Sequence, residues 1–383
     1  MSHKIKILLI NLITMTLILL ILYFLYFIKI SFDNHENAPY LFKTTDKLNF
    51  HIKYSKKIHH LRDSDGKWEV ENNKENYLFS VINNYSKDNT NILLLGDSWI
   101  EQISSNVDSE KMFKTFVKKN NYGLINAGIT SFSPSLMQLQ YEILEKDFNI
   151  KPETVVVYID QTDIGDEICR YKDKRFFNEN KDLVGVSNER YSRATYDYTK
   201  LYAISNIKLN NDSKMIRSYK LTNFFIKYSF LRFLKKVESI KKFGWKNKEI
   251  SKCRFNEIRK YLINSTDDEI NYFKDRVGGL INFFNKKKYI KKIIFITFPH
   301  KGHLFGDFND KNVKEDYLVN VSDVVANILK NHKNINHLNF TKLFFDSKID
   351  IKESYYMKND PGSHLNADFH ASIFVREIIN QLK

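Results

Sequence analysis

Asn91-Ile-Leu-Leu-Leu-Gly-Asp-Ser98 decides how this chain is read. The apolar run Ile92 to Leu95 is short and continuous, as expected of a strand buried on both faces. It stops abruptly at Gly96-Asp97-Ser98, and the residues from Trp99 to Lys118 suit a helix. The pattern is strand, tight turn, helix, with a serine at the turn. A serine there sits at the sheet edge beside a helix N-terminus, where backbone N–H groups point outward. That placement suits a nucleophile whose attack creates an oxyanion. The same tripeptide also reads as an ordinary Ser or Asp N-cap on a βα turn.

Further strands follow at the spacing of an alternating α/β chain: Gly123 to Asn126, Thr154 to Ile159 and Lys292 to Phe298. A helix is expected from about Pro134 to Asp147, and the lysine run Lys286 to Lys288 introduces the last of these strands. Strands alternating with helices predict a parallel sheet with helices on both faces. Ligand sites in such sheets lie beyond the carboxyl ends of the strands. Ser98, Gly128, Thr162 and His300 all follow strand ends and are expected to converge on one edge.

Near the other end of the chain, Asn359-Asp-Pro-Gly-Ser-His-Leu-Asn366 is a polar, turn-rich loop leading into a helical stretch, Ala367 to Leu382. His364 is the candidate general base and Asp360 its orienting carboxylate. Such triads are defined by roles and geometry, not by sequence position. With Gly96-Asp97-Ser98, this loop resembles the SGNH/GDSL hydrolase superfamily. Gly96-Asp97-Ser98 corresponds to the nucleophile block, Asn126-Ala-Gly128 to the block whose glycine N–H serves the oxyanion, and His364-Leu-Asn366 to the last block. The resemblance spans residues 91–382 and implies a three-layer α/β/α, flavodoxin-like domain.

Two positions depart from that pattern. Thr162 in Asp160-Gln-Thr-Asp163 stands where the family carries an oxyanion-binding Asn, with Gln161 as the neighbouring alternative. Asp360 stands four residues before His364, where the family spacing is three, and Pro361-Gly362 is the turn available to absorb the extra residue. A Ser98–His364 dyad without Asp360 is the alternative. The resemblance implies ester chemistry on O-acetyl groups of cell-surface carbohydrate, as an esterase or as an O-acyltransferase with the same nucleophile. A non-catalytic membrane-anchored binding or assembly protein is the competing class, because fold does not fix function. No cofactor is expected.

Ile7 to Ile28 is uncharged and apolar except for Asn11, Thr14 and Thr16. About 20 such residues span a bilayer. No small-residue cleavage site follows Phe27-Ile-Lys-Ile30, so an uncleaved signal anchor is expected rather than a removed signal peptide. Lys4 and Lys6 place the N-terminus in the cytoplasm and the remainder outside it, in the periplasm if the cell is Gram-negative. The expected organisation is a cytoplasmic tip and anchor over 1–30, a membrane-proximal segment ending in a helix over 31–90, and a hydrolase-like domain over 91–383. A mostly helical insertion, about 164–267, is expected within that domain, as a lid or as a packing subdomain.

The net charge of +15 is spread through the chain rather than gathered in a stripe, and no nucleic-acid-binding motif accompanies it. Anionic envelope polymers, lipid headgroups and envelope polysaccharide-modification proteins fit that charge and the anchor better. Asp97, Gln161 and the pair His300 and His303 are candidate substrate contacts. Asp160, Asp163, Asp166 and Glu167 form an acidic run that reads either as a cation site or as helix N-terminal acids. No metal site is expected. Cys169 and Cys253 have no metal-binding spacing; a disulfide and two buried thiols are both open readings.

Overall fold

The computed structural model describes residues 3–36, 54, 57–58, 66–68, 74–86, 90–186, 261, 264–306, 319–358, 360 and 363–383. They belong to two compact units, one within residues 1–52 and 192–250, the other within 53–191 and 251–383. In the first unit the described element is helix α1, His3–Glu36. Its stretch Ile5–Tyr23 has a mean hydropathy of 2.6. The hydroxyls of Thr14 and Thr16 donate to the carbonyls of Ile10 and Leu12, at 2.9 and 2.8 Å. These bonds satisfy the two threonine hydroxyls within the helix itself.

The second unit is built on a six-stranded sheet. Its strands are β3 (Ser80–Asn83), β4 (Thr90–Leu95), β5 (Tyr122–Asn126), β6 (Thr154–Ile159), β9 (Lys292–Thr297) and β10 (Ile335–Asn339). The spatial order is β10-β9-β6-β4-β5-β3. All neighbours are parallel except β3, which pairs antiparallel with β5 at the edge. Taken in chain order, the five parallel strands lie 2-1-3-4-5, the doubly wound order of flavodoxin-like sheets.

Side-chain alternation divides the buried strands between two faces. Ile92, Leu94, Val156, Tyr158, Ile294 and Ile296 join the core formed with α2 (Ser98–Ser105), α3 (Val107–Asn120) and the C-terminal helical residues 367–382. The alternate residues Leu93, Val155, Val157, Ile293 and Phe295 are also fully or almost fully buried. That second face belongs to α4 (Pro134–Phe148), α5 (Asp267–Asn285) and α6 (Val321–Leu329), in which α5 packs on both of its neighbours. The result is a three-layer α/β/α arrangement, with α1 as a separate apolar N-terminal helix.

Three sequence expectations change. A strand, Ser80–Asn83, stands in the segment read as membrane-proximal, where a helix was expected before the first core strand. β10 was not expected; its residues Ile-Asn-His-Leu-Asn carry polar side chains at an edge where one side meets solvent. The start of the insertion is only partly helical: after one π-helical turn, Asp166–Tyr171, it forms the antiparallel hairpin β7 (Arg175–Phe177) and β8 (Leu183–Val186). Residues 187–260 of the insertion, among them Cys253, lie outside the described residues. A small two-stranded sheet, β1 (Gly66–Trp68) with β2 (Lys74–Asn76), completes the strand set.

Candidate active site

The turn after β4 lies where the sheet order reverses, between the first and third parallel strands. Its shape requires glycine at position 96. A Cβ there would meet Ile100 Cγ1 at 2.6 Å and Tyr158 Cβ at 2.9 Å. Asp97 caps α2, its carboxylate accepting the Trp99 N–H at 2.9 Å. The segment after β5 continues alongside this turn, with Ala127 N–H donating to Leu94 and Ile129 N–H to Gly96. Gly128 there presses onto the first turn of α2, where a Cβ would meet Ile100 C at 2.6 Å.

Ser98 opens α2, and its Oγ is 2.7 Å from His364 Nε2. His364 Nδ1 is 2.6 Å from Asp360 Oδ2. The four-residue spacing is accommodated by a folded loop: Asp360 N–H donates to Met357, Ser363 N–H to Asp360, and Ser363 adopts a left-handed φ of 56°. The Met357 N–H bonds the His364 carbonyl, and the Asn366 N–H bonds the Tyr355 carbonyl, so the loop is pinned at its base. From α2, Gln102 donates to the Leu365 carbonyl, while the Asn106 side chain donates to that of Ala367. The His364 ring stacks on Trp99, with centroids 5.7 Å apart and planes inclined by 29°.

The expected oxyanion donors are only partly open. The Ser98 backbone N–H has no hydrogen-bond partner among the described residues. Gly128 N–H, by contrast, donates to Asn126 Oδ1 at 2.9 Å. The Thr162 hydroxyl donates to Asp160 Oδ2, and so does its N–H, at 3.2 Å. Gln161 turns away: its Nε2 donates to Ser322 Oγ at 3.2 Å and its Oε1 accepts the Val321 N–H at 3.1 Å. Thr162 and Gln161 are thereby used to hold the end of β6 rather than offered to a ligand.

The candidate substrate contacts are also internal. His300 is 4 % exposed, and its Nδ1 accepts the Gly302 N–H as the cap of the short helix Lys301–Phe305. Burial lowers the His303 pKa to about 4. Lys301 is paired with Glu353 at 2.9 Å. Asp97 is buried and serves α2.

The acids after β6 are enclosed rather than solvated. Among the described residues no three His, Cys, Asp or Glu side chains form a metal-holding group. Asp160, Asp163, Asp166 and Glu167 are all buried. Glu167 accepts Ser133 Oγ, Ser135 N–H and Ser135 Oγ, fixing the start of α4. Asp166 is paired with Arg170 at 2.8 Å. Burial first, then the nearby charge of Asp160, pushes the Asp97 carboxyl well above the usual range. Burial likewise raises Asp160. Asp97 Oδ2 is also 3.5 Å from Ser98 Oγ, so this acid pair lies directly behind the serine.

Sequence reasoning missed Trp99 and the Asp97–Asp160 pair. A signal was present for the latter: an acid immediately after the wholly apolar run Val155 to Ile159 has little solvent to reach. Nothing in the sequence marks His370, whose two ring nitrogens bond Ser109 Oγ and the Trp99 carbonyl and brace α2 from behind.

No protein-family model matches this chain, and no curated protein matches it. Among solved structures, it is similar to the acetylxylan esterase Axe2 of Geobacillus stearothermophilus, at 13 % identity, covering 76 % of this chain and 94 % of that one, with a TM-score of 0.36. It is similar to a lipase/acylhydrolase of Enterococcus faecalis at 13 % identity, covering 76 % and 96 %, with a TM-score of 0.34. A third is LAE5, an α/β hydrolase enzyme from the metagenome of Lake Arreo, at 10 % identity, covering 77 % and 96 %, with a TM-score of 0.37. The fold assignment made above rests on the strand order and the layers of this chain itself.

Proposed function

We propose that the protein is a serine esterase of the SGNH type, acting on O-acetyl esters of cell-surface carbohydrate. The observation that carries this reading is the unbroken hydrogen-bond chain Ser98–His364–Asp360. Ser98 Oγ attacks the acyl carbonyl while its proton passes to His364 Nε2. Asp360 holds the Nδ1 proton and stabilises the imidazolium. The oxyanion takes the Ser98 N–H. It takes the Gly128 N–H as well once the Asn126 amide moves aside. His364 then gives its proton to the departing sugar hydroxyl. Water, deprotonated by His364, attacks the acyl-enzyme, releasing acetic acid and restoring Ser98. An O-acyltransferase would pass the same acyl group to a second hydroxyl instead.

In this reading α1 is a single-pass anchor with a cytoplasmic N-terminus, and the catalytic unit is extracytoplasmic. The apolar length of α1 supports the anchor. Cys169 is disulfide-bonded, which fits an oxidising compartment.

One observation favours the second reading, a non-catalytic binding or assembly protein: Gly128 N–H and the Thr162 hydroxyl are both engaged within the protein. Labelling of the full-length protein in detergent with a fluorophosphonate separates the two. A single adduct on Ser98, absent in His364→Ala, is the expected result. Folded protein that takes no adduct would reject the esterase.

A further inference from the structure

On the sheet face remote from α2 and α3, a cavity of about 530 Å³ lies between α4, the β7–β8 hairpin and α5. One stripe of α5 forms its wall. Arg276, Gly279, Phe283 and Lys286 recur at helical spacing and line the cavity. Tyr272, one turn before Arg276, continues the stripe. At Gly279 an added Cβ would meet nothing within 4 Å, so the helix leaves an opening there.

The charge around this opening is unbalanced. Lys172 Nζ, Arg175 Cζ and Arg276 Cζ lie 5.0, 4.7 and 5.8 Å from the Tyr272 ring centroid. Lys181 and Lys286 line the cavity itself. None of these five cations is in an ion pair within 4.0 Å among the described residues. The acids lining the cavity are Glu142 and Asp182. Each is bonded to a side-chain amide, Glu142 to Gln138 and Asp182 to Asn178. Glu167 and Asp173 attract Arg175 from farther away, and Arg276 repels it. Arg175 Nη1, Arg276 Nε and the Tyr272 hydroxyl are buried polar atoms with no partner among the described residues. Unpartnered buried donors cost free energy that an anionic ligand would recover.

The remaining lining is suited to a sugar ring. Phe177 and Phe283 line it with aromatic rings, which Arg175 and Lys287 approach at 5.3 and 4.8 Å, and Asn282 offers an amide that can both donate to and accept from hydroxyls. Small-molecule sites combine this kind of apolar wall with a few placed polar groups, in volumes of roughly 300–1,000 Å³.

We propose that this groove binds an anionic pyranose, a sugar ring bearing a carboxylate or a phosphate, through Arg276, Lys286 and the rings of Phe177 and Phe283. The proposal is independent of the ester reading, because binding can be measured with the nucleophile removed. The test is calorimetric titration of the full-length Ser98→Ala protein in detergent. The anionic probes are trigalacturonic acid and glucose 6-phosphate, which distinguish the two acid groups; maltotriose and inorganic phosphate are the controls.

At least one anionic sugar should bind at least tenfold more tightly than maltotriose and than inorganic phosphate, and more weakly at high salt. Added to Ser98→Ala, Arg276→Gln should lower that affinity about tenfold. Gly279→Leu should do the same by filling the opening, and it has no backbone strain to prevent folding. Equal binding of maltotriose or of phosphate alone would overturn the proposal. So would unchanged affinity in both groove variants, or no binding of either anionic sugar.

Discussion

Asp360 Oδ2 lies 2.6 Å from His364 Nδ1 and accepts the backbone N–H of the same residue at 2.7 Å. One carboxylate oxygen therefore fixes both the ring and the peptide that carries it. This settles the tautomer when the imidazole is neutral: Nδ1 holds the proton, and Nε2 is left to accept from Ser98. The extra residue between acid and base is absorbed by the turn that brings the acid back under the ring.

Replacement of the triad follows from that geometry. Ser98→Ala and His364→Ala should each lower hydrolysis of p-nitrophenyl acetate by about 10⁴-fold or more. Asp360→Asn should lower it by about 10²–10⁴-fold, because an amide favours the wrong tautomer. Steady-state kcat/KM on variants with unchanged circular dichroism is the measurement. A loss of only a few-fold in Asp360→Asn would favour the dyad.

Gly128 should tolerate no side chain. Its Cβ would run into the backbone of Ile100 and Glu101 rather than into a flexible side chain, so neither partner can yield cheaply. Gly128→Ala should cost about 1–3 kcal/mol or more and displace the Gly128 N–H. A thermal midpoint and activity equal to wild type would show that the segment after β5 is not held against α2.

Glu167 satisfies three donors of Ser133 and Ser135 at the start of α4, in a site fully closed to water. Glu167→Ala leaves all three unmet, at about 1–3 kcal/mol for each group that cannot relax. Glu167→Gln retains acceptance at one oxygen and should lose less. Chemical denaturation midpoints would rank them; equal losses would place the effect in packing rather than hydrogen bonding.

The parallel strands and the meeting of Ser98, His364 and Asp360 were legible because each follows a strong local rule. Leu93 to Leu95 and Val155 to Val157 are continuous apolar runs, as strands covered on both faces must be. His364 and Asp360 share one loop, so their meeting required no knowledge of tertiary structure. β3 and β10 were not legible, because edge strands such as Ser-Val-Ile-Asn and Ile-Asn-His-Leu-Asn mix polar and apolar side chains. Spacing placed Thr162 and Gln161 at the correct strand end but carried no information on where their side chains point. Asp163, Asp166 and Glu167 do stand in the first turns of the short helices after β6, one of the two readings the sequence offered, but a place in a helix says nothing of burial, so their enclosure was not legible.

That enclosure predicts the pH dependence of stability. Asp163 is fully buried, its Oδ1 has no partner among the described residues, and burial raises its pKa well above the usual carboxylate range. Burial pushes Asp166 up to about 7. A carboxyl whose folded pKa exceeds its unfolded value contributes stability that is complete at low pH and is lost as pH rises through the folded pKa. Burial lowers His303, His337 and His370 to about 4, with the opposite sign: their contribution is complete above about 6.5 and is lost toward pH 4. The two slopes oppose one another in acid, and above pH 6.5 the carboxyl slope is the one that remains. The thermal midpoint should therefore fall between pH 6.5 and 8.5. Asp163→Asn removes a charge that must otherwise be buried, so it should raise the midpoint at pH 8 by roughly 2–6 °C and change it less at pH 5. A variant with the same shift at both pH values would show that Asp163 does not titrate across this range.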